Sequence, residues 1–274
     1  MRPGAQAQSG SARREHVLPT GQMHLVFRLS GPSLRVFDGA DDAVGRNFSC
    51  AIVGGVRSSY YVRDMSMPSH SVGVLLRPGA ALALLGARED ELKGCHFDLD
   101  TLWGSAADSA LDRLSAATNL HRQLDILESL LLARLRAIHG MHPAIAAALG
   151  TITAGAGIAA ATSASGFSHR HFAALFRRAT GLAPKTYGRV MRFQSALRSV
   201  ALRNESDLAA LALEAGYCDQ SHFNRDFRLF TGVTPMMYRK LAPEFAHHLA
   251  LPDPSGVDTG GQVSPSQGRP TNLA

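Results

Sequence analysis

Ser168-His-Arg-His-Phe-Ala-Ala-Leu-Phe-Arg-Arg-Ala-Thr-Gly-Leu-Ala-Pro-Lys-Thr-Tyr187 and Asp219-Gln-Ser-His-Phe-Asn-Arg-Asp-Phe-Arg-Leu-Phe-Thr-Gly-Val-Thr-Pro-Met-Met-Tyr238 say nearly the same thing twice. At a fixed offset of 51 positions, His171/His222, Phe172/Phe223, Phe176/Phe227, Arg177/Arg228, Thr180/Thr231, Gly181/Gly232, Pro184/Pro235 and Tyr187/Tyr238 coincide. Self-similarity of this kind is the mark of a duplicated structural unit. Each copy reads as a helix with a start and a stop. Ser168 and Asp219 suit the N-cap, the paired phenylalanines stand four apart on one face, and Gly181 and Gly232 sit where a glycine ends a helix. Pro184 and Pro235 prevent its continuation.

A shorter helix and a tight turn precede each copy. In the second, Asp207 offers a cap, Leu208, Leu211 and Ala212 share a face, and Gly216 stands at the turn. Helix, glycine-containing turn and basic helix make the helix-turn-helix pattern. The first copy, Ile158–Phe167, follows at an offset of 50, with Gly166 opposite Gly216, Ala161 in place of Leu211 and Thr162 in place of Ala212.

Two such units joined by a long helix resemble the DNA-binding domain of AraC/XylS-type bacterial transcription regulators. The run that carries the resemblance most sharply is Gly216-Tyr-Cys-Asp-Gln-Ser-His-Phe-Asn-Arg-Asp-Phe-Arg-Leu-Phe-Thr-Gly-Val-Thr-Pro-Met-Met-Tyr-Arg-Lys240, with its Phe-x-x-x-x-Gly-x-x-Pro-x-x-Tyr tail. It extends from about Pro143 to Lys240. The resemblance implies that the later helix of each unit enters the major groove of double-stranded DNA. It also implies that Pro184–Leu202 holds the two apart by about one turn of B-DNA, roughly 34 Å. The base-facing positions it implies are Arg170, Ala173 and Ala174 in the first unit and Gln220, Ser221, Asn224 and Arg225 in the second. Glutamine, asparagine and arginine are suited to bridging purine edges, whereas alanine can only touch a thymine methyl. His169, Arg177, Arg189, Arg192 and Arg228 are the implied phosphate contacts. Activation next to RNA polymerase is the outcome the resemblance favours.

The charge agrees with a polyanion partner. Residues 141–245 carry twelve Lys/Arg against six Asp/Glu, which leaves sixteen of each from totals of 28 and 22, so the net +6 belongs to the repeated region. With 45% apolar and 18% charged residues over 274 positions, the chain can bury two cores. Cys50, Cys95 and Cys218 are odd in number and lack Cys-x-x-Cys spacing, which points to reduced thiols in a cytoplasm. No apolar run has the length of a membrane span, so no membrane partner is expected. Met1–Arg14 lacks the apolar core of a secretory signal. Residues 1–15 and 246–274 are expected to be disordered, the latter for its Pro, Gly and Ser content.

From Met23 to Arg77, short apolar runs at His24–Leu29, Leu34–Phe37, Ser49–Val53, Tyr60–Arg63 and Val72–Leu76 alternate with turn residues. The pattern predicts antiparallel strands closing into a barrel or sandwich. The fold class is therefore α+β: a small β-barrel- or sandwich-like sensor domain with helices at 16–139, then an all-α domain at 140–245. The N-terminal part resembles the sensor domains of such regulators, which implies an unknown small-molecule effector. Arg77 is a candidate for an anionic effector. His24 and His70 raise the alternative of a cupin-like enzyme or metal-binding domain fused to a DNA-targeting module, but no carboxylate completes a site, so neither metal nor cofactor is expected. After a cap at Asn119, leucines from 120 to 135 and Ile138 recur at three and four. That stripe could pack on its own sheet or pair two subunits into a homodimer. His139–Pro143 marks the linker.

Overall fold

The computed structural model describes residues 14–39, 42–136, 140–155, 157–202 and 207–251. Nine strands form two antiparallel sheets. They are β1 Arg14–Val17, β2 Met23–Ser30, β3 Arg35–Phe37, β4 Arg46–Asn47, β5 Ala51–Gly54, β6 Tyr61–Asp64, β7 His70–Leu76, β8 His96–Asp98 and β9 His248–Ala250. One sheet runs β4-β3-β6-β1-β9 and the other β7-β2-β5-β8. The sheets stay separate, so of the expected barrel or sandwich the described residues form two sheets and no closed barrel.

Period-two alternation along β2 explains the layering. Leu25 and Phe27 are fully buried toward the helices α3 (Asp100–Trp103) and α4 (Ala106–Ser115), with Phe27 against the Trp103 ring. His24 and Val26 point the other way, toward the second sheet, and Leu34, Val36 and Phe48 meet Ile52 of β5 in a small core of their own between the sheets. Helices α1 (Ala80–Leu85) and α5 (Leu120–Arg134) complete the outer layer. Asn119 caps α5 by accepting from the Arg122 N–H at 2.9 Å, as expected. Leu135 N–H still bonds back to the Leu131 and Leu132 carbonyls, and the helix ends there because Arg136 N–H turns to the Ala83 carbonyl of α1. Leu120, Leu124, Leu132 and Leu135 remain exposed. Ile138 and His139 lie outside the described residues.

The helical half comprises α6 (Pro143–Thr153), α7 (Ile158–Ala164), α8 (His169–Thr180), α9 (Pro184–Leu202), α10 (Leu208–Glu214), α11 (Gln220–Thr231) and α12 (Pro235–Leu241). Pro143 occupies the first turn of α6, where its missing N–H costs nothing. Helix α9 is the strut: Tyr187, Val190, Phe193, Ala196, Leu197 and Val200 are buried against the helices on either side. No helix among the described residues is long and apolar enough to cross a membrane.

The two halves share a continuous core. The short helix α2 (Glu89–Leu92) packs on α8. His16 Nδ1 on β1 donates to the Thr231 carbonyl at 2.9 Å. Gln194 on α9 donates to the Pro19 carbonyl at 2.6 Å and accepts from His247 Nε2 at 2.7 Å. Beyond α12 the chain returns to the N-terminal sandwich, where β9 pairs with β1 in the register Val17↔His248 and His16↔Leu249. This corrects the expected disorder at both margins. Arg14 and Glu15 belong to β1, and residues 246–251 are folded, with Leu249 wholly buried. Main-chain pairing supplies the order that their composition hides. Residues 1–13 and 252–274 lie outside the described residues.

Candidate nucleic-acid interface

Each repeated residue has a matched task in both helix-turn-helix units. Ser168 and Asp219 accept from the N–H groups of His171 and His222, at 3.3 and 2.7 Å, and cap α8 and α11. The imidazoles of His171 and His222 stand edge-on to Phe167 and Tyr217, the aromatic residues that close each turn. Phe172, Phe176, Phe223 and Phe227 are buried. Phe176 meets Tyr187 edge-to-face, and Phe227 meets Tyr238 in the same way. Thr180 donates to the Phe176 carbonyl and accepts from the Leu182 N–H; Thr231 repeats this with Phe227 and Val233. Gly181 and Gly232 end their helices with φ of 71° and 81°, a left-handed conformation that side chains resist. Pro184 and Pro235 then begin the next helix.

These internal bonds fix α8 and α11 in the fold and leave one face of each outside. On α11, Gln220, Ser221, Arg225 and Arg228 are exposed and Asn224 is half-buried. Gln220, Asn224, Arg225 and Arg228 line one groove with α12. On α8, His169, Arg170, Ala174 and Arg177 are exposed and Ala173 is half-buried. His171 is exposed too. Its edge-on contact with Phe167 covers one side only.

The first unit's poorer core survives by self-satisfaction. Thr162, buried where the second unit has Ala212, donates its hydroxyl to the Ile158 carbonyl at 2.9 Å.

Two expected phosphate contacts have other employment. Arg189 reaches from α9 to Asp226 on α11, Nη2 to Oδ1 at 2.5 Å and Nε to Oδ2 at 3.3 Å. The Asp226 side chain is 3% exposed and that of Arg189 is 35% exposed. The Asp226 hydrogen bond raises the Arg189 pKa further. This pair belongs to the second unit alone, because the equivalent position in the first is Leu175. Arg192 donates to the Gly216 carbonyl at 3.2 Å and lies over the Tyr217 ring, so it braces the turn. Burial pushes the Tyr217 hydroxyl well above the usual phenol range, with Asp226 adding to it.

The N-terminal half holds a second candidate site, a cavity of about 530 Å³ between the sheets. Its lining includes His24, Arg57, Tyr61 and Arg63 from the sandwich and Phe245, His247 and His248 from the segment after α12. Sequence reasoning had named His24 alone among these. Arg77 is exposed and lies elsewhere, beside a small void near Gly21 and Glu89. His70 hydrogen-bonds Gln123 at the far end of the β2–β7 ladder, six residues along from the level of His24, which is about 20 Å. The two histidines therefore cannot share a metal. Arg57, Tyr61 and His247 carried no local signal, because only strand pairing brings them together.

Two helix-turn-helix units, each presenting the outer face of its second helix and both mounted on one strut, define a double helix-turn-helix DNA-binding domain. Residues 161–241 match the family described as a helix-turn-helix domain, and this segment is a helix-turn-helix domain of the AraC type. Residues 5–98 match a family described as a domain of unknown function, DUF6597. Among solved structures the chain is similar to apo ToxT from Vibrio cholerae strain SCE256, in a variant form, at 14% identity. The likeness covers 85% of this chain and 95% of that one, with a TM-score of 0.46. ToxT from Vibrio cholerae O395 is similar at 11% identity, with 86% and 98% covered and a TM-score of 0.45. No curated protein matches the chain.

Proposed function

We propose that the protein is a transcription regulator that grips successive major-groove faces of a promoter with α8 and α11 and answers to an effector held in its N-terminal half. The observation that carries this is the α11 face. Gln220, Ser221, Asn224 and Arg225 have the donors and acceptors that base edges require, on a helix fixed by its cap, its aromatic core and the Asp226 pair. In the first unit Arg170 is the reader, with Ala173 and Ala174 offering apolar contact to a thymine methyl. His169, Arg177 and Arg228 take phosphates. The outward leucines of α5 are a surface through which a homodimer could form, and RNA polymerase is the partner that activation would require.

The test begins by selecting bound fragments from genomic DNA. Arg225→Ala should then weaken binding to the selected site far more than to random DNA, by about 1–3 kcal/mol for a lost bidentate contact. Arg228→Ala should weaken both about equally and flatten the salt dependence by about one phosphate. Identical behaviour of the two variants would remove the distinction between reader and positioner on which this function rests.

A further inference from the structure

The cavity between the sheets has an uneven charge balance. Arg63 is neutralised: its Nε meets Glu15 Oε2 at 2.5 Å, and His248 Nδ1 lies 3.0 Å from the same oxygen and 3.2 Å from Arg63 Nη2. Burial opposes ionisation of Glu15, yet the His248 bond and Arg63 outweigh it and hold the carboxyl below its ordinary range.

Among the described residues Arg57 has no carboxylate within ion-pairing distance. Its Nη2 donates to His96 Nδ1 at 3.1 Å, its guanidinium lies 5.0 Å from the Tyr61 ring centroid, and its Nε is buried without an acceptor. Because a guanidinium only donates, His96 Nδ1 must accept, which puts the imidazole proton on Nε2. That Nε2 is also buried and unpartnered. The two donors are thus built in beside each other and left without acceptors, an arrangement that protein interiors avoid unless something else completes it.

The surrounding groups do not supply the missing charge. Burial holds His24 at about 4 and drives His96 lower still, with Arg57 contributing to both, so the two imidazoles are neutral at pH 7. Of the described carboxylates nearby, Glu15 is engaged with Arg63 and His248, Glu244 is exposed, and Asp38, whose charge favours the ionised form of Arg57, is exposed and forms no ion pair with it. Val26, Tyr61 and Phe245 give the cavity apolar walls.

We propose that this cavity binds a small organic anion, with Arg57 taking the negative charge and the walls of Val26, Tyr61 and Phe245 taking an apolar body. The inference rests on the effector role proposed above and gives that effector a chemical class. The segment Glu244–His248, which follows α12, is one wall of the cavity, so the anion would contact the stretch of chain that returns from the helical half to the sandwich.

The experiment is calorimetric titration of the full chain at pH 7 with benzoate, cinnamate and octanoate, each paired with its uncharged amide. At least one acid should bind, its amide at least tenfold more weakly. Arg57→Gln should weaken that acid at least tenfold without lowering the melting temperature, since it removes a half-buried charge that pairs with no described carboxylate. Amides that bind as well as acids, an Arg57→Gln protein that binds unchanged, or no binding by any of the three acids would each overturn the proposal. The acid-against-amide comparison on the unmodified protein decides the matter even if the variant fails to fold. Promoter binding measured in parallel without acid separates the two claims. Retained promoter binding with failed acid binding refutes the anion alone, and lost promoter specificity refutes the regulator reading.

Discussion

Replacing Arg189 with Met tests whether this arginine is a strut or a phosphate contact. The substitution keeps most of the side chain's length and removes the cation from Asp226, whose carboxylate is 3% exposed. Breaking a buried ion pair by removing one partner costs about 3–5 kcal/mol. Arg189 is one-third exposed, so water screens part of the interaction, and the expected loss is about 2 kcal/mol. Asp226→Asn keeps the shape and removes the other charge. Urea denaturation of the wild type, the two single variants and the double variant forms a cycle whose coupling should be about 2 kcal/mol, with the double variant more stable than the Arg189→Met sum implies. The salt dependence of promoter binding gives an independent measure. A strut leaves the slope of log K against log salt unchanged, whereas a lost phosphate contact lowers its magnitude by about 0.9. A coupling below about 0.5 kcal/mol, or a slope reduced by about 0.9, would refute the strut.

Three further outcomes are expected. Gly181→Ala forces a left-handed backbone on a side chain whose Cβ would stand 2.3 Å from Val56 Cγ1 and 2.8 Å from the Glu89 carbonyl oxygen. It should cost at least about 1–2 kcal/mol and make the seam between the halves easier to cleave in limited proteolysis. Asp219→Ala should cost about 1 kcal/mol through the lost cap of α11, and Asp219→Asn should restore most of it, as read from melting temperatures. His24, with an ordinary value of 6.5 and a folded value of about 4, takes up its proton in the unfolded chain first. Stability is therefore intact above about pH 6.5 and falls as the pH drops toward 4. The gap corresponds to up to about 3 kcal/mol, or about 2 kcal/mol for a residue bordering an open cavity. Denaturation curves of His24→Gln between pH 7 and 4 should be flatter than the wild type's by that amount, and parallel curves would refute it.

The helical half was legible because its chemistry is local. A cap, a phenylalanine pair, a threonine and a glycine lie within one turn or two of what they touch, and a duplicated frame repeats the message. The same logic reads Arg189 as a phosphate contact from its spacing on α9. Only the crossing of α9 over α11 shows that Asp226 is closer to hand. In the sandwich, alternation revealed β2, β5 and β7 but not β4, β8 or β9, which span two or three residues and exist through pairing with distant partners. The cavity was the least legible feature. Arg57 and Tyr61 lie four apart in sequence, but His96 and His247 reach them only through the sheet and the returning chain.

The return of β9 also bears on how this molecule can be taken apart. Its backbone caps one border of the five-stranded sheet, so an expression fragment ending at the last helix would bare the ladder of Arg14–Val17 to solvent. Uncovered ladders recruit other chains, and such a fragment should self-associate. Domain swaps and reporter fusions should therefore be joined downstream of Leu251, with the returning strand kept beside its native neighbour.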